Sequence, residues 1–195
     1  IGDAVEMRVE RIDPSEETVR LPYVPIECIS PKSLSLQEWK QGSEAQSSLQ
    51  RFYRGDILFG AMRPYFHKVC LAPFDGTTRT TAFVLVPRKA TYYSFATLLV
   101  HDPATVDYAT QHSVGSTIPY AKWDRSLANM PVVVPPEDQL GAFEEIVRPT
   151  LEPFMQTPFE NARLRKLRDY LLPKLLNGEV RVTDRGDIAG EVSAI

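Results

Sequence analysis

The spacing of apolar residues divides the chain into two parts. Up to about residue 135, apolar residues occur in short runs bounded by Gly, Pro or Asp, which is typical of β-strands separated by turns. The runs that predict strands are residues 23–26, 56–59, 68–72, 82–86 and 130–134. Two helices are expected between them, over 94–100 and 102–111, the second with Pro103 at its first helical position. This order predicts an α+β domain built on a mixed, curved sheet.

Beyond Pro135-Pro136 the spacing of apolar residues becomes that of a helix. The double proline favours a helix start after it, and Glu137 and Asp138 suit the positive end of the helix dipole. Apolar residues then recur at intervals of three and four in two stripes, which is the spacing of a coiled-coil seam. The first stripe is Phe143, Val147, Leu151 and Phe154, and the second is Leu164, Leu167, Leu171 and Leu175. Asn177-Gly178 is suited to end the helix.

Three prolines, Pro149, Pro153 and Pro158, are expected to kink or break this helix, which would give a kinked pair of helices. Unbroken, residues 137–176 would extend over roughly 60 Å at 1.5 Å per residue, more than the width of a domain of this size. The apolar stripe therefore favours a partner helix, in a second chain or in a second half of a longer chain, over packing on its own domain.

These patterns predict three regions. Residues 1–135 form the globular domain, residues 136–178 form a long helical arm with coiled-coil character, and residues 179–195 form a short strand or a tail.

Composition is that of an ordinary globular protein. Of the 195 residues, 43% are apolar and 24% are charged, and no apolar run approaches the ~18 residues of a membrane span. No basic segment leads into an apolar stretch near Ile1, so no secretory signal is expected. Cys28 and Cys70 lie in apolar stretches without metal-ligand spacing, which favours buried, reduced thiols and a cytoplasmic location.

Charge is distributed unevenly along the chain. The net charge is −3, yet the segment from Arg51 to Lys89 carries seven basic residues and two acidic ones, a net charge of +5. A local basic segment on an acidic protein suits an oriented contact with DNA. Charge alone supports equally the alternative that this segment is a basic strand edge exposed to solvent.

No pattern of catalytic residues is present in the sequence. It lacks the Gly-Lys pair of a phosphate-binding loop, the glycine cluster of a dinucleotide-binding turn, and the Asn-Pro-Pro-Tyr stretch of amino-methyltransferases. The histidines His67, His101 and His112 are scattered. No catalytic or metal-binding residue is therefore predicted, and a small metal-dependent nuclease or hydrolase that uses His67 with Asp75 remains the rival hypothesis.

The remaining candidates form a binding surface in which cations alternate with aromatic residues. Arg and Lys side chains can contact phosphates or guanine, and Tyr can pack on sugar or bind phosphate. The residues predicted to bind DNA are Arg51, Arg54, Arg63, Tyr65, His67, Lys68, Arg79, Ser116, Thr117, Tyr120 and Lys122. Core packing is preferred for Phe59, Phe66, Phe83 and Trp123.

Four stretches resemble the specificity (S) subunits of type I restriction–modification enzymes. They are residues 55–68, 78–87, 115–119 and 167–180, the last ending in Pro173-Lys174-Leu175-Leu176-Asn177-Gly178-Glu179-Val180. The resemblance implies a target-recognition domain that reads half of a bipartite DNA site, and helices that set the spacing and dock methyltransferase (M) subunits. It implies no catalytic site and no cofactor on this chain.

The same resemblance assigns the chemistry to partners. The methyltransferase subunits would bind S-adenosylmethionine and methylate an adenine that they flip out of the duplex, and a restriction (R) subunit would cleave. Because a full S subunit has two recognition domains, a chain with one is either a half-length subunit that pairs with itself through the C-terminal helices or a fragment. A two-fold dimer implies a palindromic, split target. The alternative within DNA modification is the recognition domain of a fused restriction–methylation enzyme.

Overall fold

The computed structural model describes residues 1–45 and 49–180. In this part of the chain, α-helices follow and flank a set of short strands, and the predicted α+β class is confirmed. The strands are β1 (Val5–Arg8), β2 (Arg11–Ile12), β3 (Leu49–Phe52), β4 (Ile57–Gly60), β5 (Val69–Leu71), β6 (Gly76–Arg79) and β7 (Ala82–Pro87). The α-helices are α1 (Glu16–Arg20), α2 (Tyr93–His101), α3 (Pro103–Gln111) and α4 (Glu137–Leu176).

The strands belong to two antiparallel sheets. The larger has the order β1-β7-β4-β5 and the smaller has the order β2-β3-β6. A single mixed sheet was expected from the sequence. The link between β4 and β5 is too short for the crossover that parallel pairing requires, so these neighbours run antiparallel. Strand β6 and strand β7 follow each other closely in the chain but belong to different sheets.

Both faces of the larger sheet are buried at strands β4, β5 and most of β7. Ile57, Phe59 and Leu85 face one way, toward a core that α2, α3 and the start of α4 complete. Leu58 and Val84 face the other way, into a second core with Phe52 from β3. This burial on two sides explains why these strands are continuous apolar runs and do not alternate.

Several predicted elements are confirmed. The runs 56–59, 68–72 and 82–86 form β4, β5 and β7, and the two short helices form where they were expected. The side chain of Asp102 accepts a hydrogen bond from the amide of Ala104 (2.7 Å), which caps α3 with Pro103 at its first position. Cys28 and Cys70 are free and buried, as predicted.

Two predicted strands are wrong. Residues 130–134 pair with no strand, and Pro131 lacks the amide hydrogen that a ladder would need. The side chains of Met130, Val132 and Val134 pack on the core, while Val133 faces solvent. Residues 23–26 make only isolated bridges at Tyr23, and a 3-10 turn begins at Ile26 after Pro25.

Helix α4 is continuous from Glu137 to Leu176, passing through Pro149, Pro153 and Pro158. The predicted break into two helices is therefore wrong. Each proline removes one backbone hydrogen bond, and packing of the apolar face around Leu151 and Met155 on the domain offsets that loss in this part of the helix. The predicted end is confirmed: Gly178 adopts a left-handed conformation (φ 73°) just after the helix.

The chain forms two compact units, Ile1–Pro158 and Phe159–Ile195. The first unit extends past the sequence boundary at 135 because the first turns of α4 pack on the domain. Leu151 is only 3% exposed, and Val147 is partly buried against the same core. The assignment of Val147 and Leu151 to a partner helix is therefore corrected, whereas Phe143 and Phe154 on this stripe remain partly exposed.

The second unit contains the second apolar stripe. In its described residues, 159–180, no side chain is buried; Leu164 and Leu175 are exposed, and Leu167 and Leu171 are half-buried. Residues 179 and 180 form a bend. The rest of the predicted C-terminal strand or tail lies outside the described residues.

Candidate nucleic-acid interface

Three loops of the first unit meet beyond the ends of β4 and β7. The segment after β4 (61–66) receives backbone hydrogen bonds from the loop 113–122 and donates to it. The Arg63 amide donates to the Pro119 carbonyl (2.7 Å), and the Ala121 amide donates to the Ala61 carbonyl (2.8 Å). The turn before β7 joins them, because the Thr81 carbonyl accepts from the Ala61 amide (2.9 Å). Residues 61–66, 79–81 and 113–122 together form the loop surface.

Side chains also connect these loops. The Tyr120 hydroxyl donates to the Thr80 carbonyl, and burial raises the pKa of Tyr120 above its ordinary value. Val114 and Tyr120 pair in a small antiparallel bridge (2.9 and 2.8 Å) around Gly115. Gly115 has φ 96°, and a Cβ atom there would lie 2.7 Å from the Ile118 carbonyl oxygen, so a glycine is required.

The loop surface carries most of the predicted DNA-binding residues that face solvent. Arg79, Ser116, Thr117 and Lys122 are exposed, and Tyr120 is half-buried. Arg79 lies next to Thr80, and Lys122 lies two residues after Tyr120, so both cations stand near the contact that joins the two loops. These hydrogen-bonded loops therefore carry exposed cations and small hydroxyl side chains, which can contact phosphates and base edges.

Arg63 and His67 have a backbone conformation that the sequence did not predict. Both are left-handed, with φ of 52° and 51°, and they flank a single 3-10 turn, Pro64–Phe66. Such a conformation costs a residue with a Cβ atom about 1–2 kcal/mol. The Nε of Arg63 is buried without a hydrogen-bond partner in the described part of the chain.

Two predicted DNA-binding residues have internal roles instead. His67 is 6% exposed, and its Nε2 donates to the His101 carbonyl (2.9 Å). The Nζ of Lys68 donates to the Ile26 carbonyl (2.8 Å) and is partly buried. His67 is therefore unavailable to DNA, and both side chains hold the segment after β4 in place.

Arg51 and Arg54 are not part of the loop surface. Arg51 pairs with Glu17 of α1 (2.9 Å), and Arg54 pairs with Glu152 of α4 (3.7 Å). Arg79 lies at the end of the β3–β6 ladder where β3 begins, whereas Arg54 lies past the opposite end. The basic segment from 51 to 89 is therefore divided between two places on the domain.

A cavity of about 430 Å³ lies beside the turn 64–66. Its lining residues are Lys32, Tyr65, His67, His101, Pro103, Val106 and Asp107. Lys32 is also left-handed (φ 56°), and its amide donates to the His67 carbonyl (2.8 Å). Burial, with His67 nearby, lowers the pKa of His101.

The residues of the rival nuclease hypothesis do not form a site. His67 precedes β5 and Asp75 follows it, so the two lie at opposite ends of that strand, and Asp75 accepts a hydrogen bond from the Arg54 amide (2.8 Å). Asp56 is buried and pairs with Arg8 (3.1 Å), and burial raises the pKa of its carboxyl group. Over the described ranges, no three His, Cys, Asp or Glu side chains form a group suited to a metal ion.

Some features of this surface were missed. Phe66 was assigned to the core but is 45% exposed, beside Tyr65, which is 49% exposed. The roles of Lys32 and His101 come from left-handed backbone and long-range hydrogen bonds, which apolar spacing does not encode. Within the described residues, no helix is both long and apolar enough to cross a membrane.

The chain is similar to three curated specificity subunits, while no protein-family model matches it. It is 37% identical over 70 residues to the type I restriction enzyme MjaIX specificity subunit of Methanocaldococcus jannaschii, which covers 36% of this chain and 16% of the relative. It is 28% identical over 159 residues to the EcoDI specificity subunit of Escherichia coli, covering 76% of this chain and 34% of the relative. It is 26% identical over 96 residues to the HindI specificity subunit of Haemophilus influenzae, covering 49% of this chain and 21% of the relative.

Two solved structures share the fold. One is the HsdS subunit from Thermoanaerobacter tengcongensis, with a TM-score of 0.59 at 21% identity; the other comes from a study of complex assembly and conformational transition of the type I R-M system, with a TM-score of 0.59 at 22% identity. Each match covers 95% of this chain and 49% of the other. The chain thus spans about half the length of these structures and at most about a third of the curated relatives. In sequence and in fold, the chain is similar to specificity subunits of type I restriction enzymes.

Proposed function

We propose that this chain recognises one half of a bipartite DNA target as the specificity component of a type I restriction–modification system. The observation that carries the proposal is the loop surface, whose hydrogen-bonded segments carry the exposed residues Arg79, Lys122, Ser116 and Thr117. The similarity to named specificity subunits supports the same function.

Electrostatics favours specific DNA contact over general attraction to nucleic acid. The chain as a whole is acidic, with a net charge of −3, so its long-range field does not draw it onto any duplex. The loop surface combines exposed cations with short hydroxyl side chains, which are suited to hydrogen bonds with base edges or phosphates. Such a surface gains affinity where a DNA sequence matches it.

The partners belong to the proposal as well. An adenine methyltransferase would bind S-adenosylmethionine and methylate the DNA, and a restriction subunit would cleave it. This chain would catalyse neither reaction, and the complex would act in the cytoplasm. Leu164, Leu167, Leu171 and Leu175 would pack against a partner helix, in a second copy of the chain or in a methyltransferase subunit. Phe143 and Phe154 remain candidates for the same contacts.

Selection from a pool of random duplex DNA tests the proposal. The purified chain, alone and with an adenine methyltransferase from a neighbouring gene, is incubated with the pool, and bound duplexes are sequenced over successive rounds. We expect enrichment of one short element. If two chains pair, the element recurs in inverted orientation across a fixed, unspecified spacer, as two-fold symmetry requires.

A pool carried through with the methyltransferase alone is the control, and it should show no such element. A single, unpaired element would refute the self-paired arrangement but not DNA recognition. Failure of the chain to enrich any element, both alone and with the methyltransferase, would overturn the proposed function.

A further inference from the structure

Two adjacent aromatic side chains are exposed on the loop surface. Tyr65 and Phe66 are 49% and 45% exposed, and their ring centroids lie 4.8 Å apart with the planes inclined at 53°. Large aromatic side chains are normally placed where they bury most of their surface. An exposed pair of this kind marks a binding surface more often than a lone exposed residue does.

The backbone beneath these rings is held rigidly in a strained form. Left-handed Arg63 and His67 stand immediately before and after the turn that carries the rings. The Phe66 amide donates to the Arg63 carbonyl (3.0 Å), and the His67 amide donates to the Pro64 carbonyl (2.8 Å). Strained backbone of this type persists where the surroundings fix it, often at ligand-binding positions.

Contacts from outside the turn fix both of its ends. The Arg63 amide is bonded to Pro119, and the His67 carbonyl accepts from Lys32 (2.8 Å). The His67 ring is buried against His101, and α3 packs against the turn. The backbone that carries the two exposed rings is therefore fixed, so binding does not need to order this turn.

The residues around the two rings favour a ligand that is negatively charged and also has flat apolar faces, as DNA has. Arg63 precedes the turn, Lys32 and Asp107 line the cavity with Tyr65, and Arg79 and Lys122 are exposed on the loops of the same surface. The loop that binds Arg63 also exposes Ile118 and Val114. Apolar and aromatic side chains within a cationic surface match stacked bases between phosphates, since proteins that kink DNA insert such side chains at base steps.

We propose that Tyr65 and Phe66 form a wedge that enters a base step of bound DNA and partly unstacks it, an inference that rests on the proposed DNA-recognition function. Unstacking a base step costs an energy that depends on its sequence, so the wedge would contribute to the discrimination between DNA sequences. Flexible pyrimidine–purine steps would then be favoured at this point in the target.

The test uses the full chain, with its methyltransferase where binding requires it, and duplexes that carry the selected target. The adenine analogue 2-aminopurine, which brightens when it unstacks, is placed at successive positions, and donor and acceptor dyes on the duplex ends report bending. With the wild-type chain we expect a several-fold rise in fluorescence at one step and a shorter end-to-end distance. The double variant Tyr65→Ala/Phe66→Ala should bind with lower affinity and lose both signals.

Two further variants serve as controls. Phe66→Leu with Tyr65→Phe keeps an apolar wedge and should retain most of the fluorescence change, because leucine also serves in such wedges. Val9→Ala removes an exposed apolar side chain outside the loop surface and should change neither signal.

Bound wild-type DNA with unchanged 2-aminopurine fluorescence at every position would overturn the wedge and leave the proposed function intact. The wedge would also be refuted if the double alanine variant lost methyltransferase binding while the fluorescence rise persisted, because the rings would then contact protein. Absence of binding to any DNA would refute the proposed function and the wedge with it.

Discussion

Replacing Arg79 and Lys122 together by glutamate is expected to weaken specific DNA binding by about two orders of magnitude. The reason is that two cations that attract phosphates are replaced by two anions that repel them. Both side chains are exposed, so the substitutions should leave folding unchanged. The measurement is a titration of labelled target duplex, followed by fluorescence anisotropy at several salt concentrations. If each cation contacts one phosphate, the slope of log K against log salt should also decrease in magnitude by about 2.

Arg88→Glu combined with Lys89→Glu is the matched control. It changes the net charge by the same amount, and the two residues follow the last residue of β7, whereas the loop-surface segment 79–81 precedes its first residue. The six residues of this strand separate the two sites by roughly 20 Å at 3.3 Å per residue. The ion pairs of Arg88 and Lys89 with Glu6 and Glu137 are exposed and contribute little to stability. Equal losses of affinity in the two double variants would show that net charge, and not the loop surface, governs binding.

The second large effect concerns the start of α4. Leu151→Asp should lower the free energy of unfolding by about 4 kcal/mol or more, since the core loses a leucine and gains a carboxylate without partners. Leu151 is 3% exposed in the core that also contains Met155. Unfolding in urea, followed by circular dichroism, measures the change.

Phe154→Asp provides the comparison on the same helix. Phe154 is 38% exposed, so this substitution should cost about 1 kcal/mol or less. If Leu151→Asp left stability unchanged and instead prevented association with a partner, Leu151 would belong to an intermolecular helix contact, as the apolar spacing alone suggested.

The sequence was most informative where one physical cause determines an element. Strands β4, β5 and β7 are apolar because both faces of their sheet are buried, and α3 begins where Asp102 and Pro103 form a helix start. Residues 130–134 have the same apolar character but pair with no strand, and Pro131 has no amide hydrogen to donate. A local pattern cannot reveal whether a partner strand exists.

In the helical arm and in the binding surface, the sequence likewise predicted the local pattern but not the position of the residues in three dimensions. Intervals of three and four placed Val147 and Leu151 correctly on one helix face, but spacing does not say whether that face meets its own domain or another chain. Similarly, the basic residues of 51–89 lie within one segment of the sequence, yet Arg51 and Arg54 pair with carboxylates away from the loop surface. Phe66 was assigned to the core as a large aromatic residue. Its exposure depends on the left-handed residues that flank its turn, which the sequence did not predict.

Mapping adenine methylation across a genome tests the central claim most directly. A host without its own system expresses the partner methyltransferase with this chain, with the Arg79→Glu/Lys122→Glu variant, or alone, and its DNA is read by single-molecule sequencing. We expect methylation at one bipartite motif when the wild-type chain is present, strongly reduced methylation with the variant, and none without the chain. Methylation of the same motif in cells that lack the chain would contradict its role in choosing the target.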